Sequence, residues 1–373
     1  MRLVLHREIP ENDDLRRQWN ELVLRMESPE VFYTYEWALA ASRGYEGSMR
    51  PLLVLAYEGN IVSGVAALAV DDEQEKISFL AGNTADYCDF VSRPSQRLEF
   101  VNLVLRELQP LAPHLVLPNL PASSATALAL KNSSFQQGCA HFSRPAFQCA
   151  QVDLSTSVQK ESVKRAVGGK KNIRYQVKAM AKTGSVEVRH LTDWHEISEA
   201  LPAFRDAHLQ RFSGLGRTSN LADPQRWDFL MELARLLSGR GWMTLSRLTV
   251  GDQSIAWAYG FNFAASWFYY QPTFDIRFQG YDPGICLLAR IVEDACDQPE
   301  IQRVDLGLGD EGYKGRFATN HRETVYVTVT SSMVHHVREK LRYRTASALK
   351  SVPRLEHCIR WLLGKTAAGG ARA

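Results

Sequence analysis

The 373-residue sequence has no apolar run near the about 20 residues that a membrane-spanning helix needs. Its first residues, MRLVLHREIPENDD, reach acidic side chains too early for a secretory signal peptide. The six cysteines are scattered, and no two form the C-x-x-C pair of zinc ribbons and redox motifs. We therefore expect a reduced, cytoplasmic protein that is soluble or at most peripheral to the inner membrane.

Two kinds of catalytic pattern are also missing. There is no G-x-S-x-G segment, and no Cys stands beside a His in a recognisable catalytic context. Direct group transfer is therefore favoured over a covalent enzyme intermediate. No His, Cys or carboxylate residues have the spacing of metal ligands, so the sequence predicts no metal site.

A strong overall charge is absent as well, since the formal net charge is only +3. A chain that binds nucleic acid over its whole surface is thereby excluded. Cations are concentrated in residues 158–184, with eight Lys and Arg against one acid, and in residues 333–373, with nine against two. The first segment has a helical period interrupted at Gly168 and Gly169. It is either a solvated helix face or a helix pair that faces phosphates beside a cleft.

What is present is an internal repeat. PLLVLAYEGNIVSGVAALAV (residues 51–70) and MTLSRLTVGDQSIAWAYGFNF (residues 243–263) each predict two strands joined by a tight turn. Gly59 and Gly251 open the two turns and lie 192 residues apart. Helical patterns precede both hairpins, and strand, helix and strand patterns follow both. The sequence therefore predicts two tandem domains of mixed α/β type.

The second half resembles a known family at YYQPTFD, DPGICLLARIVEDA and VDLGLGDEGYKGRF. These segments are similar to those of the CelD-like acetyltransferases of the GNAT superfamily, a group related to the Fem-type aminoacyl-transferases. The resemblance implies tandem GNAT-like domains with a helical C-terminal tail. It divides the chain into residues 1–154 (the first half, on the acceptor side), 155–332 (the second half, with donor and catalysis) and a basic tail, 333–373.

The resemblance also implies a donor site where the strand ending near Gln271 meets the helix that opens at Gly284. Free N–H groups at a helix start can bind phosphate, and glycine lets phosphates approach the backbone. We assign Gln271, Gly280, Gly284 and Ile285 to donor binding, with an acyl-CoA as the expected co-substrate. Asp282 departs from the family loop, which has a small residue there, and an acid opposes a pyrophosphate. The alternative for Gly284 is a plain capped helix.

Four residues are candidates for catalysis. Lys314, after the glycine-rich segment DLGLGDEG, is assigned to the stabilisation of an oxyanion or a donor phosphate. Tyr313 either donates to the acyl oxygen or packs. Asp305 is either a base or an acceptor of backbone N–H bonds, and His208 is either a base or a half-buried helix residue. Because a cleft lysine contributes little to stability, we expect Lys314→Ala to leave the melting temperature nearly unchanged.

The acceptor is expected against the first half. Asp86 and Tyr87, in the loop AGNTADYCDF, and Trp37, in VFYTYEW, are the candidate substrate-binding residues. For the loop, the alternative is an ordinary hairpin connection with a solvated Asp.

Three functions remain open at this point. The first is transfer of an acyl group from acyl-CoA to the amine or hydroxyl of a small-molecule or lipid-linked sugar, in polysaccharide or cell-envelope synthesis. The second is Fem-type aminoacyl transfer from charged tRNA, and the third is a non-catalytic assembly factor. The tail mixes Leu, Ile, Tyr and Trp with cations at helical spacing, and Pro353 is expected to start a second tail helix. The tail is either a peripheral membrane or partner contact, or a packed helix pair.

Overall fold

The structure is a computed structural model that describes residues 1–71, 73–132, 139–309 and 311–350. In these residues the chain has a mixed α/β fold, as predicted. The first half consists of β1 (Arg2–His6), α1 (Asp13–Leu24), α2 (Tyr35–Gly44), β2 (Arg50–Glu58), β3 (Ile61–Asp71), β4 (Lys76–Phe79), β5 (Val91–Ser92), α3 (Arg97–Leu108), β6 (His114–Pro121), α4 (Ala125–Asn132) and β7 (Ala140–Asp153). The rest consists of α5 (Ser157–Gly168), α6 (Lys171–Met180), β8 (Val186–Leu191), α7 (Trp194–Gly214), α8 (Pro224–Ser238), β9 (Met243–Val250), β10 (Gln253–Phe263), β11 (Ser266–Phe274), α9 (Pro283–Asp297), β12 (Arg303–Asp305), β13 (Asn320–Thr330) and α10 (Met333–Lys350).

The described strands form one continuous sheet with an internal symmetry. Its order is β1-β2-β3-β4-β6-β13-β7-β12-β11-β10-β9-β8, with β5 paired to β3 outside this path. Read inward from either edge, each half gives three antiparallel pairings, then one parallel pairing: β4 with β6 and β11 with β12. The two predicted hairpins, β2–β3 and β9–β10, occupy equivalent places, so the duplication is confirmed.

A matching irregularity strengthens the repeat. In each hairpin the second strand carries one unpaired residue close to its start, at Ser63 in β3 and at Ile255 in β10. These bulged residues are separated by the same 192 residues as the turn glycines, which both have a positive φ. A β-bulge bends its strand and increases the local twist. Both halves therefore bend their sheets at the same point.

The last strand of each half pairs with the opposite half. β7, from the first half, is antiparallel to β12, while β13, from the second half, is antiparallel to β6. β7 and β13 also pair with each other along most of their length. A division near residue 155 thus stays a prediction about chain order, because these exchanged strands join the two parts of the sheet.

Close helix packing forms the seam between the halves. α2 lies against α8, and a Cβ at Gly44 would come within 2.4 Å of the backbone of Phe229. Only glycine allows this approach. Trp37 on α2 makes edge contacts with Phe229 and with Phe261 of β10. The seam is therefore a shared apolar core and part of the largest buried cluster.

Helix α9 begins with Pro283, one residue before the predicted opening at Gly284, because proline has no N–H to leave unpaired and its φ suits the first helical position. Asp282 has a left-handed backbone (φ 48°), and its side chain makes no capping hydrogen bond. This conformation turns the chain sharply from residues 276–281 into the helix.

The tail helix α10 packs on the exchanged strands. His335 stacks on His114 with ring centroids 3.9 Å apart, and Tyr343 contacts Phe142 of β7. Its outer side exposes Val334, Val337 and Leu341, which are spaced for one helix face. The predicted second tail helix after Pro353 lies outside the described residues. Within the described part, no helix is both long and apolar enough to cross a bilayer.

We expect the exposed apolar face of α10, with its flanking cations, to bring the full chain to anionic vesicles. Each cation near such a surface contributes about 1 kcal/mol at low salt. The measurement is sedimentation with anionic liposomes at low and high salt, using the full chain and a truncation after Ser332. If the full chain stays in the supernatant at low salt, α10 is a packing element only.

Candidate functional site

The parallel pair β11–β12 opens next to the seam. Pairing joins only Ser266, Trp267 and Phe268 to the three residues of β12. β11 then continues through residues 269–274, while the chain after Asp305 turns away at Gly307, whose φ is positive. Two parallel strands that separate in this way leave an opening between their ends. Residues of both halves line this opening.

Asp86 of the first half and Lys314 of the second half both bind the backbone of one residue, Leu308. The N–H of Leu308 donates to Oδ2 of Asp86 at 3.0 Å, and Nζ of Lys314 donates to the carbonyl of Leu308. A Cβ at Gly307 would lie 2.2 Å from the same Asp86 oxygen, so this approach requires glycine. The structure therefore brings together a predicted acceptor residue and a predicted catalytic residue.

The carboxyl of Asp86 is placed to exchange protons near neutral pH. Burial raises its pKa to about 7, and the neighbouring charge of Asp305 adds to this effect. The Leu308 N–H and the cations of Lys314 and Arg226 act in the opposite direction. Asp86 as a whole residue is half-buried and keeps some exposed surface.

Lys314 is buried, with 6% of its surface exposed. Besides the Leu308 carbonyl, its ammonium forms a 2.9 Å ion pair with Glu311, which is largely exposed. The predicted role of Lys314 as an oxyanion stabiliser stays a prediction. Its contacts in the structure favour holding the turn at residues 307–308, on which Asp86 depends.

Asp305 is fully buried, and both of its carboxylate oxygens accept hydrogen bonds. Its Oδ2 accepts from the hydroxyl of Tyr87 at 3.0 Å and from the amide of Gln151 at 2.7 Å, and its Oδ1 accepts from the N–H of Gly307. This set of contacts favours the structural alternative over a base. Tyr87 is likewise buried, so the pair links the two halves behind Asp86.

A buried ion cluster supports Tyr87 from the other side. The guanidinium of Arg322 lies 4.2 Å from the centre of the Tyr87 ring and pairs with Glu30, which also accepts from Arg303 at 2.9 Å. Burial raises the pKa of Glu30, and the two arginines oppose this shift. Sequence reasoning missed Glu30, Gln151 and Arg322, because each lies in an ordinary stretch far along the chain from the cleft.

His208 is joined to the predicted donor strand. Its Nε2 lies 2.8 Å from Nε2 of Gln271, and its Nδ1 lies 2.8 Å from the hydroxyl of Ser219. Burial lowers the pKa of His208 to about 4, and Arg211 and Arg226 add to the shift. A neutral ring that accepts from Gln271 fits this set. The contacts favour a role in orienting Gln271, whereas catalysis by His208 stays a prediction.

The donor-side residues lie on both sides of the α9 start. Gly280 is exposed in the short helix at residues 276–281, and Gly284 and Ile285 are half-buried in the first turn of α9. The N–H groups of Ile285 and Cys286 both donate to the carbonyl of Asp282. Pro283 has no N–H, so this helix start offers fewer free donors than the sequence predicted.

Gly284→Leu should weaken donor binding and leave the fold intact. A Cβ at Gly284 meets only the ring of Phe274, at 3.3 Å, so a larger side chain would project toward the opening. The measurement is donor affinity together with the melting temperature. Gly239→Leu, at the exposed end of α8, is the matched control. Unchanged donor affinity in Gly284→Leu would place the donor elsewhere.

The remaining candidates are less directly placed. Trp37 is 2% exposed in the seam, which favours packing over substrate contact. Tyr313 is half-buried, packs against the second core, and has a pKa raised by burial and by Glu311. The described residues contain no group of His, Cys, Asp and Glu side chains that would hold a metal ion.

Comparison with known proteins agrees with this geometry. A family model described as an acetyltransferase (GNAT) domain matches residues 168–315. The matched stretch contains the β11–β12 opening and ends one residue after Lys314. It covers less than half of the chain, and no curated protein matches the sequence. The GNAT superfamily is supported, whereas the narrower CelD-like resemblance stays a proposal.

Solved structures extend the likeness over both halves. The crystal structure of FemX has a TM-score of 0.60 at 11% identity, covering 88% of this chain and 97% of that chain. The C-terminal domain (DUF2156) of a protein assigned as lysylphosphatidylglycerol synthetase, from Agrobacterium fabrum, has a TM-score of 0.54 at 12% identity, covering 90% and 96%. A conserved protein of unknown function from Bacteroides thetaiotaomicron has a TM-score of 0.53 at 11% identity, covering 85% and 97%. At these identities the likeness establishes the fold alone.

Proposed function

We propose that the protein transfers an acyl or aminoacyl group from an activated donor to an amine or hydroxyl in the cleft between its halves. One observation carries the proposal: Asp86, with a pKa of about 7, lies beside the open end of β11 and β12. A carboxylate with this pKa can take the proton of an attacking amine or hydroxyl at neutral pH. The GNAT domain match on the same stretch supports acyl transfer.

The contacts support the following proposed roles. The donor lies along β11 toward α9, with Gln271 oriented by His208. The acceptor enters from the first half and gives its proton to Asp86. Lys314 holds the carbonyl of Leu308, the residue whose N–H donates to Asp86, and its positive charge keeps the pKa of Asp86 from rising further. Asp305 and Tyr87 position this turn from behind.

We further propose an acyl-CoA donor and a sugar acceptor, free or lipid-linked, in polysaccharide or envelope synthesis. The exposed apolar face of α10 supports a lipid-linked acceptor. The alternative donor is charged tRNA, which the basic segment α5–α6 and the fold shared with FemX favour.

The test is a thermal-shift screen against acetyl-, longer acyl- and aminoacyl donors, followed by transfer assays with the donors that bind. A donor that raises the melting temperature and is consumed only with an acceptor supports an enzyme. If no acyl-CoA ester and no charged tRNA binds, the chain is a non-catalytic double-GNAT protein and the proposal is wrong.

A further inference from the structure

Helix α6 separates its side chains into an apolar face and a cationic face. Ile173, Val177 and Met180 belong to the second core, under the sheet. Lys171, Arg174 and Lys178 are exposed and spaced three and four residues apart, so they share the opposite face. The helix spans about 15 Å. The three cations therefore form a row along one side of the helix, here called the cationic face of α6.

The charges of this row are uncompensated in the described part of the chain. Lys160 and Lys164, on α5, are already used by the carbonyl of Gln298 and by Asp297. In contrast, none of the exposed cations Arg165, Lys171, Arg174, Lys178 and Lys182 has an ion-pair partner among the described residues. Clustered cations of one sign attract polyanions.

Helix α6 borders the proposed donor opening. Ile173 and Val177 pack in the same core as Phe278 and Tyr281 of the short helix at residues 276–281, which precedes α9. At the start of α6, Nζ of Lys170 lies 5.5 Å from the centre of the Phe317 ring. Phe317 ends the turn that carries Lys314. Helix α6 therefore lies between the donor side and the turn at residues 313–317, and its cationic face is exposed beside them.

The α9 start is a poor phosphate site by comparison. The N–H groups of Ile285 and Cys286 donate to the carbonyl of Asp282, Pro283 has no N–H, and the exposed carboxylate of Asp282 repels anions. A donor that carries phosphates needs positive charge close to the opening. Among the described elements around α9, α6 presents three exposed cations, and α7 adds Arg211, whose guanidinium lies 4.5 Å from the centre of the Phe274 ring.

We propose that the phosphates of the donor bind the cationic face of α6, formed by Lys171, Arg174 and Lys178, and not the start of α9. This inference rests on the proposed function because it calls the ligand a donor. The binding of its phosphates to α6 requires no catalysis. The shared ligand chemistry is phosphate, from either coenzyme A or the backbone of tRNA. Tyr175, between these cations and 69% exposed, is available to stack on a base in either ligand.

The experiment uses the full chain with free coenzyme A and, separately, uncharged tRNA as probes. The variant reverses three charges together: Lys171→Glu, Arg174→Glu and Lys178→Glu. The control reverses three exposed cations of the first half, Arg7→Glu, Arg93→Glu and Lys131→Glu, and so has the same net charge. All six positions are exposed, so both variants should fold, which circular dichroism checks.

We expect the α6 variant to bind its probe at least about tenfold more weakly, because each charge-assisted phosphate contact is worth one to two powers of ten. If tRNA is the ligand, the salt dependence of binding should also fall by about one unit of slope per lost contact. The control should bind like the wild type. Loss with coenzyme A alone or with tRNA alone supports the proposal and identifies the source.

Three results would overturn it: a wild-type chain that binds neither probe, an α6 variant that binds as well as the wild type, or a control that loses as much. Transfer activity is a separate readout. A wild-type chain that binds through α6 but transfers nothing contradicts the proposed function and leaves this inference standing.

Discussion

Asp86→Asn should lower the rate of acyl transfer by about 10²- to 10⁴-fold, the usual contribution of a positioned general base. Asparagine is close to aspartate in shape, and its carbonyl can still accept from the Leu308 N–H. The variant therefore removes the proton acceptor and keeps the turn. The measurement is kcat/KM with a donor and an acceptor identified by the screen. Asp71→Asn, at the half-buried end of β3, is the control and should keep the wild-type rate.

The pH dependence provides a second readout of the same residue. A base acts only when ionised, so the wild-type rate should rise with pH through about 7 and level off above it. A rate that is flat between pH 5 and 9, or a normal rate in Asp86→Asn, would remove Asp86 from the chemistry.

The stability of the wild-type fold should fall with rising pH, whereas its transfer rate should rise. An Asp carboxyl in the unfolded chain titrates near pH 4, whereas the pKa of Asp86 in the fold is about 7. Between these values the folded state binds the extra proton, so the wild type loses stability as pH rises from about 4 to about 7. Asparagine cannot ionise. The melting temperature of Asp86→Asn, relative to the wild type, should therefore rise across this interval and then stay constant.

Local patterns predicted most of the elements that form this site. The strand predicted after the second hairpin is β11, which ends at Phe274 and not near Gln271, and the interrupted basic segment is the helix pair α5–α6. Such elements are encoded by periodicity and turn residues within one stretch of chain. The 192-residue repeat then placed the hairpins, because a duplicated pattern predicts a duplicated fold.

The sequence could not predict the exchange of β7 and β13. β7 contains Pro145 and has no clean alternation, since its outer half lies on partly exposed sheet. Its partners are about 150 to 190 residues away in the chain, and pairing over such separations leaves no local trace. The same reason hid Glu30, Gln151 and Arg322, whose contacts all cross between the two halves.

The sequence also could not predict the burial of Lys314. Lys314 follows a glycine-rich segment, which favoured an exposed position, yet Gly307 and Gly309 have positive φ and fold the chain back over it. Its Nζ then satisfies the Leu308 carbonyl inside the protein. The expectation of an unchanged melting temperature therefore no longer holds. Leaving that carbonyl unpaired should cost about 1–3 kcal/mol.

Lys314→Met should reduce transfer by about a hundredfold, comparable to the loss of one preorganised donor at a reaction centre. Methionine keeps much of the length and packing of lysine and removes only the charge and the hydrogen bonds. Because the ammonium lowers the pKa of Asp86, its removal should also move the midpoint of the pH–rate profile to higher pH. Glu311→Gln, which removes the exposed partner of Lys314, is the control and should stay within a few-fold of the wild type.

These two readouts separate positioning from plain stability. A variant that is merely less stable would lose active protein, and its remaining activity would keep the wild-type pH midpoint. A variant that has lost the positive charge of Lys314 changes the midpoint of the pH–rate profile even when it is fully folded. Melting curves at each pH will verify that it is folded. If Lys314→Met turns over normally, Lys314 is a bystander. If its rate falls with no change in midpoint, Lys314 supports only the fold of the turn at residues 307–308.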